Sequence, residues 1–171
     1  MSLLQRIFGE KKQRAPLRPL YDAIVARGRA PAWYREGLVP DTIDGRFDMV
    51  SAILSLVLLR LEKEGEAARD QSVLLTEIFI NDMDGTLRQI GIGDYVVGKH
   101  VGRMMSAVGG RLGALRDGLA EGSLRAAVAR NVFHDAPPSD EALGFVAGGL
   151  ERFAAALDGT ATDAVLAGRL P

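Results

Sequence analysis

Apolar residues recur along this chain at intervals of three and four, and no stretch shows the two-residue alternation of a half-buried strand. Leu20, Tyr21, Ile24 and Val25 predict a first core helix near Leu20 to Arg27, after the breaks at Pro16 and Pro19. Pro31 is placed to start a short helical turn carrying Trp33 and Tyr34, which Gly37 and Pro40 would end. From Asp44 to about Glu64 the residues Phe47, Met49, Val50, Ile53, Leu54, Val57, Leu58 and Leu61 leave a polar stripe of only Asp48, Ser51 and Ser55. A helix apolar almost all round is buried on most sides, so this one is expected at the centre of the fold.

An amphipathic helix follows from about Asp70 to Ile90, with Leu75, Phe79, Met83, Leu87 and Ile90 on one face and Glu77, Asn81, Asp84 and Arg88 opposite. The turn Gly91-Ile92-Gly93-Asp94 leads into another helix, with Asp94 as N-cap, whose apolar seam is Val97, Val101, Met104, Val108, Leu112, Leu115 and Leu119. Alanine-rich helices then run near Leu124 to Phe133, Ser139 to Leu157 and Ala161 to Leu170, with Pro137-Pro138 as a firm break. The pattern implies an all-α protein, a compact domain of about six to eight helices around a buried central one. Residues 1–16 form a short amphipathic and basic N-terminal segment, and 17–171 the helical domain.

Hydrophobic residues make up 47% of the 171 positions and charged ones 25%, enough apolar content to fold a single ordinary domain. A net charge of −1 gives no global attraction to nucleic acid. The absence of cysteine removes disulfides, thiolate metal sites and a cysteine nucleophile together. The longest apolar run, Met49 to Leu59, is interrupted by serines and falls well short of the roughly 20 residues of a membrane-spanning helix. No secretory signal is read at the N-terminus, and a cytoplasmic location, with peripheral contact at the inner membrane, is the expectation.

Few strings look chemical. Gly93-Asp94-Tyr95-Val96-Val97-Gly98-Lys99-His100 matches a phosphate-binding loop up to its last position, where His100 stands in place of the magnesium-binding hydroxyl, and a helical pattern precedes it where a strand should. His100 and His134, the only histidines, have no carboxylate one helical turn on, and neither has an evident orienting acid nearby. Asp82-Met83-Asp84-Gly85 lacks the closing acid of a calcium loop. No catalytic residue, metal or cofactor is assigned.

One pattern does ask for a reason. Gly98, Gly102, Ser106, Gly110 and Gly113 form a side-chain-poor stripe, although each interior glycine costs a helix about 1 kcal/mol relative to alanine. Two readings fit: close packing against a neighbouring helix, or a groove that accepts a partner's helix with Lys99 and Arg103 as a basic border. At the N-terminus, Leu3, Leu4, Ile7 and Phe8 before Lys11, Lys12, Arg14 and Arg18 suit transient contact with an anionic membrane or a ribosome, or a basic terminus with no role.

Taken in order, Leu20-Tyr21, Arg29-Ala30-Pro31, Tyr34, Pro40-Asp41-Thr42, Asp44-Gly45-Arg46-Phe47-Asp48, Leu58 to Leu61, Phe79 with Asp82-Met83-Asp84, Leu87-Arg88, Gly91-Ile92-Gly93-Asp94, Val97-Gly98-Lys99 and Gly110-Arg111 resemble the ubiquinol–cytochrome c chaperone family. The resemblance covers mainly 20–111 and leaves the tail 120–171 outside it; it departs from the family at Ile53, where many members carry histidine, and at Val108-Gly109, where an aromatic is usual. It implies a non-enzymatic assembly factor of bacterial type, since the matching part begins close to Met1 without a presequence. The implied client is a newly made respiratory membrane subunit such as cytochrome b of the quinol–cytochrome c oxidoreductase, with no specific nucleic acid. On that basis Gly98, Lys99, Gly102, Arg103 and Ser106 are the expected client surface. Asp44, Gly45, Arg46, Phe47, Arg88, Gly91, Gly93 and Asp94 are its framework or rim, with Arg46 and Arg88 equally suited to internal ion pairs with Asp44, Asp48 or Asp84. Trp33 and Tyr34 are candidates for a partner anchor or a lid on the core. A self-associating helical scaffold and a phosphate binder at Gly93–Lys99 are the alternatives.

Overall fold

A computed structural model describes the backbone of residues 15–89 and 94–171 and the side chains of 16–85 and 102–171. Its helices are α1 (Arg18–Gly28), α2 (Pro31–Arg35), α3 (Ile43–Glu62), α4 (Arg69–Gln89), α5 (Asp94–Glu121), α6 (Arg125–Asn131), α7 (Asp140–Asp158) and α8 (Thr162–Leu166). Short 3-10 turns at Ala15–Leu17 and Gly65–Ala68 lead into α1 and α4, and no strand occurs among the described residues. The fold is all-α, as the spacing predicts.

Helix α3 is the axis. Thr42 caps it, its hydroxyl accepting the Gly45 N–H at 3.1 Å. A β-carbon on Gly45 would overlap the Pro40 carbonyl, so this glycine lets the chain turn back on itself into the helix. From Met49 to Leu59 every residue is buried, with α1, α4, α5 and α7 packed around it. The predicted polar stripe is buried too. Ser51 and Ser55 donate their hydroxyls to Phe47 O at 2.7 Å and Ser51 O at 2.8 Å, so both sit in the core without an unmet hydrogen bond.

Close backbone approach sets the crossing of α1 over α3: a β-carbon on Gly28 would lie 2.7 Å from the Val50 Cα. Tyr21, itself in the core, reaches across to α4 and donates its hydroxyl to Asp82 at 2.8 Å. Leu75 and Phe79 carry the buried face of α4, while Val73 is left exposed. The C-terminal end closes against the far end of α3 through Arg60. Its guanidinium donates to Leu157 O, Thr160 O and Thr162 Oγ1, each at 3.1 Å.

No helix among the described residues is long and apolar enough to cross a membrane. The N-terminal apolar and basic segment, with Leu3 to Arg14, lies outside the described residues, as do Gly91 and Gly93.

Candidate functional site

Three helices meet around one buried charge. Arg111, on the inner face of α5, is 3% exposed and Asp48 of α3 likewise 3%. The guanidinium donates to Asp48 Oδ1 at 2.6 Å, to Asn131 O at the end of α6 at 2.7 Å, and to the Ser51 hydroxyl. Its plane lies over the Phe47 ring, 5.7 Å from the centroid, and Phe47 in turn packs on Phe79. Burial pushes the Asp48 carboxyl up and the Arg111 guanidinium down, against the attraction between them, so the pair is held at a desolvation cost.

The second carboxylate oxygen of Asp48 is 2.9 Å from His134 Nε2. Both His134 and Asp135 have positive φ, 49° and 62°, a left-handed turn that side chains other than glycine adopt at a cost. That turn brings the imidazole over Asp48 from the connection between α6 and α7. Sequence spacing shows no orienting acid for either histidine; the structure corrects this for His134, because tertiary packing brings Asp48 to it across 86 residues. Asp48, His134 and Ser51 do not form a nucleophilic triad. The imidazole faces the carboxylate, and the Ser51 hydroxyl is fully buried with its hydrogen directed to Phe47 O.

A cavity of about 420 Å³ opens above this cluster between α3, α5 and α6, with Asp44, Arg130 and His134 at its mouth. A larger, apolar groove of about 540 Å³ runs between α3, α5 and α7, floored by Leu56, Leu59, Leu119 and Ala154. Its rim carries ion pairs, Arg116 with Glu62 at 2.8 Å and Lys63 with Asp158 at 2.6 Å. Leu119, predicted as seam, is 38% exposed where it lines this groove.

Of the predicted client surface, Gly102, Arg103 and Ser106 are exposed. Among the described residues, a β-carbon on Gly102, Gly110 or Gly113 would meet nothing within 4 Å, so at these positions the small-residue stripe makes no close contact with a described neighbouring helix. Gly118, by contrast, packs against the Ser123 carbonyl and Leu124. At about 100° per residue, Gly102, Ser106, Gly109, Gly113, Arg116 and Ala120 share one face of α5 over some 27 Å. That face ends in the apolar groove, which Arg116 and Ala120 line. The side chains at Arg88, Asp94, Gly98 and Lys99 lie outside the described residues, so their predicted roles find no geometry here. The backbone from Asp94 onward is helical and a helix precedes it, where a phosphate-binding loop would follow a strand.

Arg46 is exposed and pairs with Asp41 at 2.6 Å, not with Asp44 or Asp48. Asp44 is exposed, Gly45 forms the turn into α3, and Phe47 lies against Arg111 and Phe79. Trp33 is 5% exposed, donates its indole N–H to Arg27 O at 2.8 Å and meets Phe145 edge-on, which makes it part of the core. Tyr34 is half-buried and donates to Gly28 O at 2.8 Å.

A family model described as ubiquinol–cytochrome C chaperone matches residues 35–170. The chain belongs to the ubiquinol–cytochrome c chaperone family. The family match runs through the tail, which the sequence resemblance leaves outside, so α6, α7 and α8 are family structure and not an appendage. Among solved structures, the crystal structure of the Cbp3 homolog from Brucella abortus is similar, with a TM-score of 0.80 at 28% identity over 98% of this chain and 95% of that one. No protein of curated function matches. Membership gives this member of the chaperone family a role in assembly connected with the ubiquinol–cytochrome c system.

Proposed function

We propose that the protein is a non-enzymatic assembly chaperone that holds a newly made respiratory membrane subunit, cytochrome b of the quinol–cytochrome c oxidoreductase, until it joins its complex. It works in the cytoplasm, at the inner membrane surface, where such a subunit emerges. The observation that carries this reading is the outward face of α5. Its side-chain-poor track, exposed from Gly102 to Gly110 and half-buried at Gly113, leads into the apolar groove at Leu119. Small residues let a second helix approach closely, and the groove supplies the aliphatic surface that the track lacks. A client with exposed apolar helices would aggregate in water, and covering one reversibly needs shape and apolar area without a cofactor. Exposed Arg103 gives the track a basic border, and the basic N-terminus adds transient contact with the ribosome or the membrane surface.

Site-specific photocrosslinking from Gly102 and Leu119, in cells synthesising cytochrome b, tests this directly. Crosslinks to that subunit are expected from both positions, and the one from Leu119 should be lost in a Gly102→Leu variant that folds normally. Normal levels of assembled quinol–cytochrome c oxidoreductase and normal cytochrome b haem spectra in a strain lacking the gene would refute the client.

A further inference from the structure

Away from α5, three arginines from three elements converge on one cavity. Arg29 follows α1, Arg35 ends α2, and Arg46 lies in the second turn of α3; together with Pro31, Tyr34 and Asp41 they line a cavity of about 390 Å³. Only Arg46 is partnered, by Asp41 at 2.6 Å, and that hydrogen bond holds the Asp41 carboxyl low and charged. Arg29 and Arg35 are exposed, and their guanidiniums make no hydrogen bond or ion pair among the described residues. The Tyr34 hydroxyl is spent on Gly28 O, so the ring serves as a wall. Three like charges around one cavity repel, and the single carboxylate offsets only part of that, whereas a bound anion would offset the rest. Guanidinium forks fit tetrahedral oxyanions through paired N–H donors better than they fit monatomic ions.

We propose that this cavity binds a phosphate group. Two large exposed aliphatics neighbour its lining residues in sequence. Leu38, three residues beyond Arg35, is 48% exposed and held at φ 52°, and Ile43, one turn before Arg46 on α3, is 57% exposed. Exposed aliphatics beside a phosphate site fit a phospholipid headgroup, with the side chains entering the interface as the arginines engage phosphate. A free phosphate ester satisfies the same arginines but has no use for Leu38 and Ile43. The site lies on elements other than the client track, so its failure would leave the chaperone reading untouched.

Calorimetric titration of the whole protein with inorganic phosphate and with glycerol 3-phosphate, alongside sedimentation with phosphatidylglycerol or phosphatidylcholine vesicles, tests the site. Binding to phosphate or to the anionic vesicles is expected to weaken by at least about tenfold in the Arg29→Ala/Arg35→Ala variant, the worth of one charge-assisted hydrogen bond. Arg69→Ala, an exposed arginine elsewhere, should change nothing. A Leu38→Ser/Ile43→Ser variant that loses vesicle binding while keeping the phosphate titration assigns the site to a lipid headgroup; unchanged vesicle binding assigns it to a soluble ester. If neither phosphate nor phosphatidylglycerol vesicles bind, or if Arg69→Ala loses as much as the double variant, the site does not exist.

Discussion

Replacing Arg111 by methionine should be among the most damaging single changes in this chain. The guanidinium and the Asp48 carboxylate are 4% and 5% exposed as side chains, so neither exchanges its partner for water. Deleting one member of such a pair leaves the other charge buried and uncompensated, at a typical cost of about 3–5 kcal/mol. Two features bear on where in that range the variant falls. His134 still faces the second oxygen of Asp48 from an exposed position and tempers the loss. Asn131 O loses its Arg111 donor, which adds to it. A domain of ordinary stability has about 5–15 kcal/mol in hand, so the variant should fold but melt far earlier. Chemical denaturation followed by helical circular dichroism gives the number.

The pH dependence carries the same reasoning further. Burial already raises Asp48 above the ordinary carboxyl range, and losing Arg111 removes the strongest opposing attraction and raises it more. A group whose folded pKa exceeds its unfolded value favours folding at low pH and loses that contribution as pH rises through the folded pKa. The deficit of Arg111→Met should therefore be small near the ordinary carboxyl pKa and grow toward neutral pH. A loss below about 1 kcal/mol at neutral pH, the scale of an exposed pair, would refute the buried-pair argument. A deficit that shrinks as pH rises would refute it as well.

Other outcomes follow from single contacts. Burial and the hydrogen bond to Asp82 hold the Tyr21 phenol protonated far above the ordinary tyrosine range, so stability should fall as pH rises past about 10, where tyrosines of the unfolded chain ionise. Tyr21→Phe should flatten that alkaline loss, read by denaturation at pH 9 and pH 11. Gly102→Ala meets open space on a helix and should stabilise by about 1 kcal/mol, whereas Gly45→Ala collides with the Pro40 carbonyl and should destabilise by at least as much. Thermal melts of the pair distinguish these signs. Trp33→Ala, which empties a core position, should cost about 3–5 kcal/mol; a neutral result would return Trp33 to the surface role of a partner anchor.

What the sequence makes legible is whatever repeats. Apolar density marks α3, and Pro137-Pro138 marks the start of α7 to within two residues, because each signal is local. The charge cluster is not local: its members stand 63 and 86 residues apart, and arginine, histidine and aspartate are surface residues by default. A sign was nonetheless present. Arg111 lies three residues after Val108 and four before Leu115, on the apolar seam of α5, while Asp48, Ser51 and Ser55 are the polar positions in the otherwise apolar run from Phe47 to Leu59. A cation on one seam and an acid on another are the two halves of one buried contact. The glycine stripe carried the opposite difficulty, since its spacing suits a covered face and an open one equally, and only the packing distinguishes them.

The buried pair and the open track belong to one argument. Arg111 is nine residues from Gly102 and nine from Ala120, and nine residues turn a helix through about 900°, half a turn out of phase. Fixing Arg111 inward on Asp48, Ser51 and Asn131 O therefore fixes the track outward. Apolar packing alone would tolerate some rotation of α5, because Val108, Leu112 and Leu115 slide against α3 with little directional preference, whereas three hydrogen bonds to one guanidinium admit a single setting. A double replacement, Asp48→Leu with Arg111→Met, removes both charges at similar volume and is expected to hold or raise stability, as apolar substitutes for buried ion pairs often do. Its predicted defect lies elsewhere: cysteines placed at Gly102 and Ser106 should lose their uniform accessibility to a thiol reagent, and crosslinking of the client from Gly102 should fall although the protein melts no earlier. If the double variant is stable and its labelling and crosslinking are unchanged, side-chain packing alone orients α5, and the buried charges have no part in presenting the track.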